Sequence, residues 1–436
     1  MRILIITHSY TPELTPRAFR WAVIARSLSA MGHEVDVVCA RSVETPAHEF
    51  VAGVEVHRVR DLLIRRPASV ATGQSTRVPL LYRLARWVYG YTWRKLYWPD
   101  SACGWFFPSV RLASMLLKNK RHNWLISVSH PFTGHLVGLA LKRRNPELRW
   151  LVDIGDPFCL MEDPSPNNAA LYRRLSLRTD LAVLREADVV SVTTSGTRDA
   201  YIGIFPEVAE KMYIVPPMLS LPVEVEPNSV RQKSTSLRLV YVGTLYRTLR
   251  SPLPLLELFE RLVSLLPGIH LELHFLGHIN DCADIFNRYE HWVGSRIFVH
   301  GVVSRERAQG HMEDAHILIN LGNRSSTQLP SKVIEYVAMG KPILNLATIR
   351  DDSSTRILAT YPAALTVCMD GSTIHDIEAH KIANFVAEPP EVDAGTIRDW
   401  LAPYTELSVS QEYMRLLHSG ADAAHEASRK NNTGLS

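Results

Sequence analysis

Short apolar runs alternate with amphipathic stretches along most of this chain, and the alternation begins twice. RILII (2–6) reads as a buried strand. RAFRWAVIARSLSAMGHE carries Trp21, Ile24, Ala25 and Leu28 at i, i+3, i+4, i+7 spacing, the signature of a one-faced helix. Gly32 stops it, and VDVVCA follows as a strand. Strand, helix and strand within so few residues make a βαβ unit, which requires a parallel sheet. WLISVS (124–129), RWLVDI (149–154), DVVSVTT and MYIVPP (212–217) continue the series. Residues 218–236 lose all periodicity and gather Pro, Ser and charge. LRLVYVG (237–243), IHLELHFLG, RIFVHG, HILINLG and PILNLA then start it again, with helices expected over 253–266, near 283–292, over 304–314 and after Ser331.

The expected organisation is α/β, with Rossmann-like sheets at 1–217 and 237–405 and a linker at 218–236. A helix at 408–419 returns to the first half, and a polar, unstructured tail covers 420–436. A length of 436 residues suits two cores. The region 356–405 is hard to read. No GxGxxG heads either half, so no dinucleotide is suggested.

With 46% hydrophobic and 21% charged residues both halves can bury a core, and a formal charge of +4 is too small to suggest nucleic-acid binding. Five scattered cysteines, with no CxxC pair or metal-type cluster, fit a reducing cytoplasm. The N-terminus lacks the long apolar core of a signal peptide, and no run approaches a membrane span. Residues 78–98 mix Arg and Lys with Trp and Tyr. They suit either a packed insertion or peripheral contact with the inner face of a membrane.

Ligands of open α/β sheets sit beyond the carboxyl ends of the strands, in the crevice. The loops after strands are therefore where binding residues belong. Glu335, in SSTQLPSKVIEYVAMGKPIL, stands opposite the apolar face formed by Val333, Ile334, Val337 and Ala338. A carboxylate there suits the vicinal hydroxyls of a sugar, and helix N–H groups near Ser331 suit an anion. A solvated glutamate is the alternative.

The segment IFVHGVVSRERAQGHMEDAHILINLGNRSSTQLPSKVIEYVAMGKPIL resembles the donor-binding segment of family 4 retaining glycosyltransferases of the GT-B fold. The loop–helix–GHEVDVV start, EADVVSVTTSG and LRLVYVGTL resemble that family as well. The resemblance implies two Rossmann-like domains facing across a cleft and transfer of a sugar from a nucleotide-sugar donor to a hydroxyl of a glycan, lipid-linked or small-molecule acceptor. It implies a place in polysaccharide or glycoconjugate synthesis, with the nucleotide sugar as co-substrate and neither cofactor nor metal. Glu335 would hold the donor ribose. Thr327 stands where many relatives carry a second acid, and Thr244 where they carry an arginine. Arg247 and Arg250 are the cations left to clamp the diphosphate, with Arg250 preferred and Lys332 assisting. Gly243 and Gly277 would let backbone approach the nucleotide, or serve as plain turn glycines.

On the acceptor side Arg17 and Arg20 lie one turn apart at a helix start, where cations want an anionic partner. That partner is donor phosphate, an anionic acceptor or Glu13. Asp153 and Asp156 in VDIGDPF resemble a DxRDPW pattern with Gly155 in place of Arg. Asp156 could bond the acceptor hydroxyl or cap a turn. His130 follows a strand. A sugar-nucleotide epimerase of the same architecture, or a nucleotide-binding relative without turnover, are the competing readings.

Overall fold

The computed structural model describes residues 1–13, 15–42, 44–62, 96–161, 165–219, 236–323, 325–327, 332–369 and 374–432, with side chains to residue 419. Two units emerge: Met1–Met218 with Glu406–Ser436, and Leu219–Thr405. The linker expected at 218–236 and the basic aromatic stretch at 78–98 fall mostly outside the described residues.

The first unit is built on an eight-stranded sheet. Its strands are β1 (Arg2–Ile6), β2 (Glu34–Ala40), β3 (His48–Val51), β4 (Val54–Val59), β5 (Trp124–Val128), β6 (Arg149–Ile154), β7 (Val189–Val192) and β8 (Met212–Ile214). Their order is β3-β4-β2-β1-β5-β6-β7-β8. Only β3 runs antiparallel, against β4. The β3–β4 hairpin has no counterpart in the sequence reading. Its turn is Ala52-Gly53, with both residues at positive φ, the geometry that two-residue hairpin turns need. Strands β1, β5 and β6 are buried almost throughout, as expected of a sheet covered on both faces. One face packs under the helices Phe106–Lys120 and Thr133–Arg144.

The other face packs under the helix Pro16–Ala30 and the final helix, through Trp21, Ile24, Leu28, Tyr413, Leu416 and Leu417. That final helix runs from Glu406 to Asn432, so it continues past 419 into the stretch read as unstructured.

The second unit has six parallel strands: β9 (Ser236–Val242), β10 (His270–Leu276), β11 (Ile297–Gly301), β12 (Ile317–Leu321), β13 (Ile343–Ala347) and β14 (Ala364–Cys368). Their order is β11-β10-β9-β12-β13-β14. The poorly legible stretch supplies β14 and the helices Asp376–Ala387 and Ala394–Leu401. The expected helix near 283–292 is shorter, Ala283–Asn287, followed by a 3-10 turn at Glu290–Trp292. Among the described residues no helix is long and apolar enough to cross a membrane.

Candidate functional site

In the second unit the helix Lys332–Ala338 is fastened to the end of β9 by two of its own side chains. Lys332 Nζ donates to the Val242 carbonyl at 3.0 Å, and the Tyr336 hydroxyl donates to the same oxygen at 3.2 Å. The Val242 N–H donates back to the Tyr336 hydroxyl at 3.0 Å. Apolar Val333, Ile334 and Val337 bury the opposite face. The helix therefore cannot roll, and Glu335 is held with its side chain 22% exposed and Arg305 at 3.9 Å. Lys332 is mostly buried rather than solvated. Burial pulls its ammonium below the ordinary lysine value; Glu335 opposes that shift and Arg250 adds to it. Lys332 thus lies within electrostatic reach of both Glu335 and Arg250.

Arg247 and Arg250 part company. Tyr246 and Arg250 pair as a tiny antiparallel bridge, with hydrogen bonds of 3.3 and 3.0 Å between their main chains. The bridge folds the loop back on itself. Arg250 returns toward β12 and donates Nε–H to Asn323 Oδ1 at 2.7 Å. Arg247 stays in the turn. Its guanidinium donates to the Asp281 carbonyl at 2.8 Å and pairs with Asp284. Arg247 is thus paired in this structure with the loop after β10, through side chains that stay partly exposed.

Gly277, at φ +125°, is needed for the sheet itself: a Cβ there would lie 2.2 Å from the Gly243 carbonyl oxygen. Gly243 in turn packs against the Tyr241 ring. Thr244 offers its carbonyl to the Tyr241 hydroxyl at 3.3 Å. Thr327 takes a hydrogen bond position with Ser325, oxygen to oxygen at 2.9 Å. Ser331 lies outside the described residues.

In the first unit the acceptor-side residues sort by burial. Asp153 is 1% exposed. It accepts from Trp21 Nε1 at 3.1 Å, Ser191 Oγ at 2.8 Å and the Tyr413 hydroxyl at 2.6 Å. A carboxylate so occupied does not reach an acceptor, so its role is internal. Arg20 is buried as well. It donates to the Pro216 carbonyl at 2.7 Å and to the Tyr413 hydroxyl at 3.1 Å. It ties the first helix to the end of β8 and to the final helix, and does not present itself to an anion in solution. The helix-start rule holds in another form: the anion satisfying both arginines is Asp153, directly for Arg17 and through Tyr413 for Arg20.

Arg17 lies 3.5 Å from Asp153 and 3.8 Å from the partly exposed Asp156. Glu13 is not its partner in either pair. Its guanidinium fills the space above Gly155, where a Cβ would sit 1.4 Å from Arg17 Nη2. The loop VDIGDPF lacks an arginine at 155, and the first helix delivers one to the same spot. His130, just beyond β5, is exposed.

Asp100 caps the start of the helix Thr133–Arg144, accepting from Thr133 N–H at 3.0 Å and Thr133 Oγ1 at 2.8 Å. Together with buried Trp105, it gives PDSACGW a structural role.

Solved structures share this architecture across nearly the whole chain. The lipopolysaccharide outer core galactosyltransferase WaaB matches at 12% identity and TM-score 0.58, covering 96% of this chain and 99% of its own. HepE of Anabaena, solved with UDP-glucose, matches at 13% and 0.55, covering 96% and 100%. The UDP-GlcNAc 2-epimerase of Methanocaldococcus jannaschii matches at 11% and 0.55, also covering 96% and 100%. At such identities the likeness establishes the fold. None of the curated proteins matches significantly in sequence. Residues 18–217 match the glycosyl transferase 4-like domain family.

The chain carries a glycosyl transferase 4-like domain on a GT-B fold. Its glycosyl transferase 4-like domain takes in most of the first unit, including Arg20, His130, Asp153 and Asp156. The nucleotide-side candidates, Glu335, Lys332 and Arg250, all lie in the second unit, outside that match.

Proposed function

We propose that this glycosyltransferase moves a sugar from a nucleoside-diphosphate sugar to an acceptor hydroxyl with retention at the anomeric carbon. One observation carries the donor assignment: a helix fastened to the end of β9 carries Glu335 and Lys332, and Asn323 holds Arg250 at the end of β12. Glu335 accepts from the ribose hydroxyls. Arg250 and Lys332 offset the charge that grows on the departing diphosphate. That diphosphate takes the acceptor proton as the glycosidic bond forms, so the step needs no separate protein base. Asp156 and His130, two accessible polar groups on loops of the first unit, contact the acceptor. HepE's bound UDP-glucose supports a uridine donor as the first to try. Free cysteines at all five positions support a reducing compartment.

A panel of sugar nucleotides tests this. Slow release of nucleoside diphosphate and free sugar, accelerated by an acceptor and giving product of unchanged anomeric configuration, is the expected outcome. Interconversion of donor sugars without transfer would replace it with the epimerase reading, whose architecture is shared. Binding with neither outcome would leave a nucleotide-binding relative.

A further inference from the structure

Three histidines far apart in sequence meet at one edge of the second sheet. His274 lies on β10, His300 on β11 and His311 on the helix Arg305–Glu313. His274 pairs with Phe298 across the ladder, and the register slips by one residue at His300. Strand alternation sets His300 on the His274 face, and the slip frees its backbone from the regular ladder. His274 Nδ1 and His300 Nε2 come within 2.9 Å. His311 closes over His300 with ring centroids 4.4 Å apart. One nitrogen of each ring lies within 4.8 Å of the others.

The surroundings select the ligating form. Glu272 Oε2 sits 3.2 Å from His274 Nε2. A carboxylate can only accept there, so Nε2 holds the proton and Nδ1 turns its lone pair inward. A carboxylate behind a histidine is the usual support of a metal-bound imidazole. His311 Nδ1 is buried without a hydrogen-bond partner. Of the two cations near the cluster, Arg238 and Arg307, Arg238 is paired with Glu272 and Asp314 at 3.3 Å each. Burial lowers the pKa of His274 to about 4 and pulls His300 and His311 down as well. All three are therefore neutral at physiological pH.

We propose that His274, His300 and His311 bind one divalent transition-metal ion of the zinc class, with Glu272 supporting His274 and water completing the shell. Three imidazoles and an open position suit Zn²⁺, with nitrogens about 2.0–2.1 Å from the ion. The ion fastens the edge strand β11 to the helix that carries Arg305, the residue facing Glu335. Its role is structural, and sugar transfer takes no step through it.

The test is Zn²⁺ binding to the chelator-stripped full chain, read by competition with a chromogenic chelator. One ion per chain is expected. His274→Gln and His311→Gln should each weaken binding at least tenfold, and Glu272→Gln about 10- to 100-fold. His48→Gln, in a second histidine–glutamate group formed with Glu55 and His57, is the control and should leave affinity unchanged. Co²⁺ bound to the unaltered protein needs no variant: intense visible bands of low-coordinate cobalt, displaced by Zn²⁺, are expected. Undiminished affinity in His274→Gln and His311→Gln, loss in His48→Gln instead, or only the weak spectrum of six-coordinate cobalt would overturn the assignment.

Discussion

Arg250 donates its Nε–H to Asn323 Oδ1 at 2.7 Å, joining the loop after β9 to the end of β12. The bond fixes the plane of the guanidinium before any ligand arrives, the condition under which a charged donor contributes most to a transition state. Arg250→Ala is therefore expected to lower kcat/KM about 100-fold or more. Arg247→Ala, which breaks only pairs with Asp281 and Asp284, should change it by less than about fivefold, as exposed ion pairs are worth about 1 kcal/mol at most. Steady-state kinetics with the identified donor decide it, and the reverse ranking would move the clamp to Arg247.

Glu335→Ala should raise the Kd for nucleoside diphosphate about 10- to 100-fold, the loss of one charged hydrogen-bonding group. The fold should survive, since the helix is held by Lys332, Tyr336 and its apolar face. Calorimetric titration with UDP and GDP, beside a thermal melt, measures both. Unchanged affinity for either nucleotide would remove Glu335 from the ribose.

Gly155→Ala should behave like Arg17→Ala. The new Cβ would collide with the Arg17 guanidinium, which swings away and leaves Asp153 and Asp156. The double variant should be no less active than either single one, because both act through one pair. Additive losses in a double-mutant cycle would show that Gly155 matters for another reason.

Tyr413→Phe removes the hydroxyl that bridges Arg20 and Asp153. Two buried charges then lose a partner, so denaturant unfolding of the first unit should show a loss of about 1–3 kcal/mol. Tyr413→Ala adds a cavity among Trp21 and its neighbours, for about 3–5 kcal/mol.

Asp180 is fully buried, and desolvation lifts its pKa to about 6 against the restraint of bonds from Cys159 and the Tyr201 hydroxyl. A carboxyl group with a raised folded-state pKa binds its proton more tightly when folded. It therefore costs stability as pH climbs from the unfolded value, about 3.9, through the folded one. Asp180→Asn should match the parent near pH 3 apart from a constant offset and gain on it up to about pH 6. Above that the difference should level at roughly 3 kcal/mol. Paired urea titrations across that range would show the trend, and a flat difference would refute it.

Most of the two sheets could be read from the chain, because a parallel strand buried on both faces leaves an uninterrupted apolar run such as RILII or HILINL. The β3–β4 hairpin escaped because HEFV is largely exposed, so nothing in its composition separates it from a loop. The helices at Asp376–Ala387 and Ala394–Leu401 escaped because short amphipathic stretches there are broken by EPPEVD. In the site, Glu335 and Lys332 were visible because the helical period fixes their face. The fates of Asp153, Arg20 and Arg247 were not, since each depends on partners distant in the chain: Tyr413, Pro216 and the Asp281–Asp284 turn. The three histidines were invisible for the same reason, as only the pairing of β10 with β11 brings them together.

The first unit's core is finished by Val409, Tyr413, Leu416 and Leu417, residues made after the whole second unit. On the ribosome the later-encoded sheet can close while the earlier one still lacks its last layer. Trp21 and the β1 face stay uncovered through that interval, making them the natural place for a holding chaperone to engage the nascent enzyme.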